Sequence, residues 1–147
     1  MRSDQRDDVD PAPRVPCVGA LVYDEHGRLL LVQRVNPPAA GSWSLPGGRV
    51  EAGEDDAVAV AREVAEETGL TVDVHHLVGE VERDAPDRRV YVIRDYACSV
   101  RGDAARRAVP GDDAADVRWV DRDALARLQL APLLRETLTE WDALPRG

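Results

Sequence analysis

The chain has 147 residues, enough for one domain with a substantial core, and 44% of them are apolar, an ordinary share for a globular protein. A net charge of −9 and a pI of about 4.8 argue against long DNA or RNA as a partner, because there is no basic footprint to release counterions. No apolar run is long enough to span a bilayer, so no membrane partner is expected.

Met1 to Arg14 is charged and contains Pro11 and Pro13, and is expected to be a flexible tail (residues 1–14). It has no apolar h-region, so it does not read as a secretory signal, and a cytoplasmic location is the expectation. A single domain is expected over residues 15–142. The run Val15 to Tyr23 (VPCVGALVY) suits a buried strand, and Leu29 to Arg34 (LLLVQR) is its returning partner across the turn Asp24-Glu25-His26-Gly27, giving a hairpin. Val35 to Gly41 holds Pro37-Pro38 and reads as a loop. In Trp43 to Arg49 (WSLPGGR), Pro46 and Gly47 fit positions i+1 and i+2 of a type II turn.

A helix is expected from Asp55, its N-cap, to Gly69, its left-handed stop. At about 100° per residue Ala57, Ala61, Val64 and Thr68 share one side, and Glu63, Glu66 and Glu67 converge on the other at i, i+3 and i+4. Like charges at that spacing cost a few tenths of a kcal/mol per pair. Arg62 offsets part of the cost by reaching Glu66, and a hard divalent cation would offset the rest; magnesium suits a few carboxylates, water and phosphate oxygens. An ordinary solvated acidic face is the alternative.

Downstream, Thr71 to Val74 and Leu77 to Arg83 read as two short strands. Ala85-Pro86-Asp87 reads as a turn, and Arg89 to Val100 as the longest strand. Arg101 to Ala115 is a loop and Val117 to Val120 a brief strand. Asp121 caps a short helix through Leu128, and Pro132 opens a last helix to about Trp141. Cys17 and Cys98 sit in apolar runs and read as buried free thiols, and His26, His75 and His76 as surface residues. Strands with one central helix and late helices indicate an α/β or α+β layered domain.

Gly48, five residues, Glu54, seven residues, Arg62-Glu63-Val64, one residue, Glu66-Glu67, one residue, then Gly69-Leu70, match the Nudix box at every defining position. The chain therefore resembles the Nudix hydrolases. The resemblance implies an α/β/α sandwich with a mixed sheet and a catalytic loop–helix–loop. It also implies hydrolysis of a nucleoside diphosphate linked to another group, with Mg2+ (Mn2+ in its place) as cofactor. Glu63, Glu66, Glu67 and the Gly47 carbonyl become the metal ligands. Arg62 orients the glutamates, and Glu54 serves the loop or a metal. The general base is either a box glutamate, Glu66, or a late-loop acid, Asp113, which precedes Trp119 and has Asp112 beside it; both aspartates also fit solvated loop acids. Arg34 either clamps a phosphate or is a surface arginine at a strand end. Trp43 either stacks on a base or belongs to the core. Pro86, sixteen residues beyond Leu70, resembles the ADP-ribose pyrophosphatase subgroup. The implied reaction is then ADP-ribose to AMP and ribose 5-phosphate. The alternatives are an oxidised-nucleotide triphosphate pyrophosphatase and a non-catalytic nucleotide-sensing module. A small nucleotide is the expected partner, and a homodimer is implied by many relatives.

Overall fold

The computed structural model describes residues 12–35, 40–102, 108–111 and 114–147. Among the described residues seven strands and three α-helices follow in chain order: β1 (Arg14–Val22), β2 (Leu29–Arg34), β3 (Trp43–Ser44), β4 (Gly47–Arg49), α1 (Asp56–Thr68), β5 (Val72–Asp84), β6 (Val90–Val100), β7 (Ala114–Val120), α2 (Arg122–Arg127) and α3 (Leu134–Glu140). A four-stranded sheet has the order β4-β1-β6-β5, and a three-stranded sheet has the order β3-β2-β7. The larger sheet is mixed, because β1 and β6 run parallel while β4 and β5 join antiparallel. β1 is apolar and buried along its last six residues, as a central strand covered on both faces must be.

Two cores follow from the alternation along β1 and β2. Val18, Ala20, Val22 and Leu30 pack with Ala59, Val60 and Val64 of α1. Leu21, Leu29 and Leu31 pack on the other face with Leu125 of α2 and Leu134 and Leu138 of α3. Helices therefore cover both faces of the strands, giving the α/β/α sandwich with a mixed sheet expected from the resemblance. Among the described residues no helix is long and apolar enough to cross a membrane.

Several local expectations are corrected. β1 and β2 do not form a hairpin ladder. They meet only at the Tyr23–Leu29 bridge and then part, because β4 and β6 take both edges of β1 and β3 and β7 take both edges of β2. The turn itself is as read, with Gly27 at φ 78°. Gly47 is not in the left-handed region that a type II turn needs; it opens β4, and the Pro46 carbonyl accepts from Ala20 N at 2.9 Å. Residues 72–84 form one strand, with register shifts at Val74/Leu77 and Leu77/Gly79 that carry His75 and His76 on the exposed surface. Pro132 lies ahead of the last helix, which starts at Leu134 after Leu133 adopts φ 67°. Cys17 and Cys98 are buried free thiols, and burial pushes Cys98 up to about 12. Packing continues past Asp142: Tyr23 donates to the Ala143 carbonyl, and Arg146 N bonds the Gly27 carbonyl at 3.0 Å. Residues 1–11 of the expected tail lie outside the described residues.

One buried acid escaped the sequence reading. Asp95 of β6 is 4% exposed, and its carboxyl lies over Gly19, where a Cβ would stand 2.1 Å from Oδ1. Burial raises its pKa from 3.8 to about 7, against a lowering pull from Arg83. Between those two values the folded chain holds a proton that the unfolded chain has lost, so stability falls as pH rises through that window. Urea unfolding at pH 5 and pH 8 checks this: wild type should lose on the order of 2–4 kcal/mol relative to Asp95→Asn between the two.

Candidate active site

Helix α1 is placed by its ends. Asp55 Oδ1 accepts from Val58 N at 2.9 Å, and Gly69, at φ 75°, returns its N–H to Ala65 O at 2.9 Å. Caps of this kind contribute about 1 kcal/mol. The buried positions are Ala59, Val60, Val64 and Thr68. The expected stripe of Ala57, Ala61, Val64 and Thr68 is thus rotated: Ala57 is exposed and Ala61 only half-buried. On the helical wheel Glu63 and Glu67 fall between Ala59 and Val60, within the inward arc, so they turn toward the sheet and not away from it. Glu66 alone of the three is exposed.

What they turn toward is the open edge of β4. Pro46 O bonds Ala20 N and Val50 N bonds Pro16 O, so alternate residues of this strand face β1. Gly47 and Arg49 then present their N–H and C=O groups outward. Glu67 Oε1 accepts from Gly47 N at 3.0 Å, and Arg62 Nη2 donates to Arg49 O at 3.0 Å. The Gly47 carbonyl faces the same side as Glu67. Gly48 admits Glu63: a Cβ there would stand 2.0 Å from Glu63 Oε2. At Gly47 a Cβ would strike the Val18 carbonyl at 2.2 Å.

Arg62 is the hub of the cluster. Its Nε and Nη2 hold Glu54 at 2.6 and 3.0 Å, and its Nη1 reaches Glu66 at 3.2 Å. Glu63 and Glu51 lie 3.6 and 3.8 Å from the same guanidinium. Glu54 also accepts from Glu51 N at 2.8 Å, so it ties the loop before α1 to Arg62. The bond from Arg62 holds Glu54 below the usual carboxylate range, whereas burial pushes Glu63 above it despite Arg62. Four carboxylates thus share one cation, and Glu67 adds a fifth beside them.

This donor set fits a hard divalent cation: half-buried Glu63 in its glycine cradle, Glu67, Glu66 and the outward Gly47 carbonyl are all oxygen donors. Among the described residues no three carboxylate, imidazole or thiol groups are already gathered in ligand geometry. Glu66 and Glu63 instead turn to Arg62, and Glu67 to the Gly47 N–H.

The remaining expected site residues lie elsewhere. Trp43 is 4% exposed in the second core, with the Arg118 guanidinium 5.0 Å from its ring centroid, so it is a core side chain and not a base-stacking platform. Arg34 is exposed at the end of β2, opposite Ala114 of β7 across a register shift. Asp112 and Asp113 lie outside the described residues. Their neighbour Gly111 donates to Glu67 O at 2.9 Å, and Val109 N donates to Thr68 O at 2.9 Å, closing the last carbonyls of α1. A Cβ at Gly111 would stand 1.8 Å from Glu66 O. Its docking role was not foreseen, and the only signal in the sequence was a glycine in a long loop.

Residues 13–141 match the NUDIX domain family. The chain belongs to the Nudix hydrolase family. It is similar to the ADP-ribose pyrophosphatase of Methanocaldococcus jannaschii, 36% identical over 108 residues, covering 73% of this chain and 62% of that protein. The chain thus spans less than two thirds of that relative's length. It is also similar to the putative 8-oxo-dGTP diphosphatase 2 of Mycobacterium tuberculosis, 41% identical over 103 residues, covering 65% of this chain and 73% of that protein. The crystal structure of the MutT protein from Methanosarcina mazei Go1 superposes with a TM-score of 0.78 at 28% identity, covering 91% of this chain and 96% of that one.

Gly48→Ala tests the cradle in this Nudix chain. The new Cβ meets the end of a flexible side chain, so Glu63 should swing away while the fold survives. Mn2+ binding followed by electron paramagnetic resonance should weaken about tenfold or more, with thermal stability changed by less than about 1 kcal/mol. Unaltered Mn2+ affinity would remove Glu63 from the ligand set.

Proposed function

We propose that the protein is a divalent-metal-dependent pyrophosphohydrolase that cleaves ADP-ribose to AMP and ribose 5-phosphate. The observation that carries the reaction type is the set of carboxylates around Arg62, set against the glycine edge of β4. Glu63, Glu66, Glu67 and the Gly47 carbonyl would hold Mg2+, with Mn2+ able to replace it. When bound, the metal neutralises the diphosphate and acidifies the attacking water. Arg62 keeps Glu54, Glu63 and Glu66 at fixed positions, so little reorganisation is needed as charge develops. Asp113 is our choice of general base, and Glu66 is the next. Support for Asp113 comes from its neighbours in sequence: Gly111 is bonded to Glu67 O, and Ala114 stands opposite Arg34. Arg34 would clamp a phosphate bidentately.

The choice of ADP-ribose is supported by Pro86, which opens the tight turn between β5 and β6, and by the M. jannaschii relative's name. The second reading, hydrolysis of an oxidised nucleoside triphosphate, is favoured by the 41% identity to the M. tuberculosis protein.

Chelation should abolish hydrolysis, and Mg2+ or Mn2+ should restore it. Glu67→Gln keeps the acceptor for Gly47 N–H but removes the ligand charge, so it should stay folded and lose activity by roughly two orders of magnitude or more. Near-wild-type turnover would make the acidic cluster structural. Asp113→Asn should lower kcat more than it raises KM; an unchanged kcat would pass the base role to Glu66. For the substrate, kcat/KM for ADP-ribose should exceed that for 8-oxo-dGTP under identical Mg2+. A tenfold advantage for the triphosphate, about 1.4 kcal/mol in the transition state, would select the second reading and leave the metal chemistry intact.

A further inference from the structure

Glu66 and Glu67 lie in the last turn of α1, and helix ends fray. The charges there oppose order. Two glutamates stand beside the partial negative charge of the helix end, and no basic residue shares the turn. Within the helix, Thr68 Oγ1 bonds back to Val64 O at 2.7 Å, and Gly69 N takes Ala65 O. The later carbonyls need donors from outside the helix.

Those donors come from the segment ahead of β7. Val109 N donates to Thr68 O and Gly111 N to Glu67 O, each at 2.9 Å. The Glu66 carbonyl lies against Gly111, where a Cβ would stand 1.8 Å from Glu66 O and 3.4 Å from Glu67 Cα. Gly111 is not in the left-handed region, so proximity and not conformation demands glycine there. At Gly48 the obstacle is the end of a flexible side chain, which can step aside; at Gly111 it is the backbone of α1, which cannot. Gly111 also faces the other way. Its carbonyl accepts from Ala114 N at 3.2 Å, where β7 begins. One residue thus joins the peptide units that carry Glu66 and Glu67 to the smaller sheet.

Resting on the metal reading above, we propose that Gly111 is a positioning residue: by docking on the last turn of α1 it holds Glu66 and Glu67 in place for the cation, and the cation in turn tightens the docking. A bound divalent cation relieves the repulsion between the glutamates and the helix end, so it favours the ordered turn. The Val109 and Gly111 amides have their acceptors only when that turn is ordered. Two events that favour one state of a shared element are linked. The factor by which docking raises metal affinity is therefore the factor by which metal strengthens docking.

Two measurements without substrate test this. In the first, Gly111→Ala forces the segment off α1, and Mn2+ affinity followed by electron paramagnetic resonance should fall about tenfold. Equal affinity in a folded variant overturns the proposal and leaves the metal site standing. Wild type that binds no Mn2+ overturns the metal reading, and this proposal with it. The second needs no variant: hydrogen exchange of the Val109 and Gly111 amides, read by mass spectrometry, should slow by about the same tenfold at saturating Mn2+. The Gly27 amide, which bonds Asp24 O in the turn after β1, serves as control and should be unchanged. No slowing at Val109 and Gly111, or equal slowing at Gly27, overturns the linkage, because a merely structural glycine would leave local opening of its own segment blind to the metal.

Discussion

The site depends on how the outer edge of a three-residue strand is satisfied. β4 is the last strand of its sheet, and an edge strand exposes N–H and C=O groups that need partners. Here a helix supplies them. Glu67 takes the Gly47 N–H and Arg62 takes the Arg49 carbonyl, so two side chains of α1 stand where a neighbouring strand would be. This fixes helix against strand. It also demands glycine at 47, where a Cβ would strike the backbone of β1, and at 48 a Cβ would displace the carboxylate of Glu63. The acidic cluster is therefore built into the packing of the domain and is not an appendage on its surface.

The electrostatics of that arrangement are unfavourable without a cation. Glu66 and Glu67 sit in the last turn of α1, where the helix end already carries partial negative charge, and no basic residue shares that turn. Burial works against ionisation of Glu63. Arg62 is one charge among five carboxylates, and its strongest bonds go to Glu54 in the preceding loop. The amide groups of Val109 and Gly111 relieve the carbonyls of the helix end but not its side chains. A divalent cation would relieve like-charge repulsion, the helix end and desolvation together, and it would reverse the local field in a protein whose net charge of −9 otherwise repels phosphates.

Much of this was legible in residue order, and the misses have physical causes. Asp55, Gly69 and Asp121 act as caps as expected because capping depends on a few adjacent atoms. The orientation of α1 was misread because alanine carries little directional signal; Ala57 and Ala61 seemed as apt as Ala59, and only the packing of Val60 and Val64 on β1 decides. Gly47 reads as a turn residue from Pro46 beside it, whereas its reason is the carbonyl of Val18, far away in sequence. The β1–β2 pair looked like a hairpin because their turn is sound; the strands then choose partners that no local pattern reveals. Trp43 could not be assigned to core or ligand until its neighbours in the second core were known. Asp95 gave no signal at all, since the glycine that makes room for it, Gly19, comes from another strand.

The division of labour between box and sheet follows from what all the candidate substrates share. Each has a diphosphate, so contacts that Glu63, Glu66, Glu67 and Arg62 would make around that group could not discriminate among them. Such contacts bind every substrate alike and set the chemistry. Discrimination has to come from atoms farther out, where substrates differ, and from groups whose partners would be missed if absent. A solvated arginine such as Arg34 is weakly placed for that task, because water replaces a lost partner at little cost. The glycine edge of β4 and the acidic helix beside it would therefore be indifferent to which nucleotide is bound.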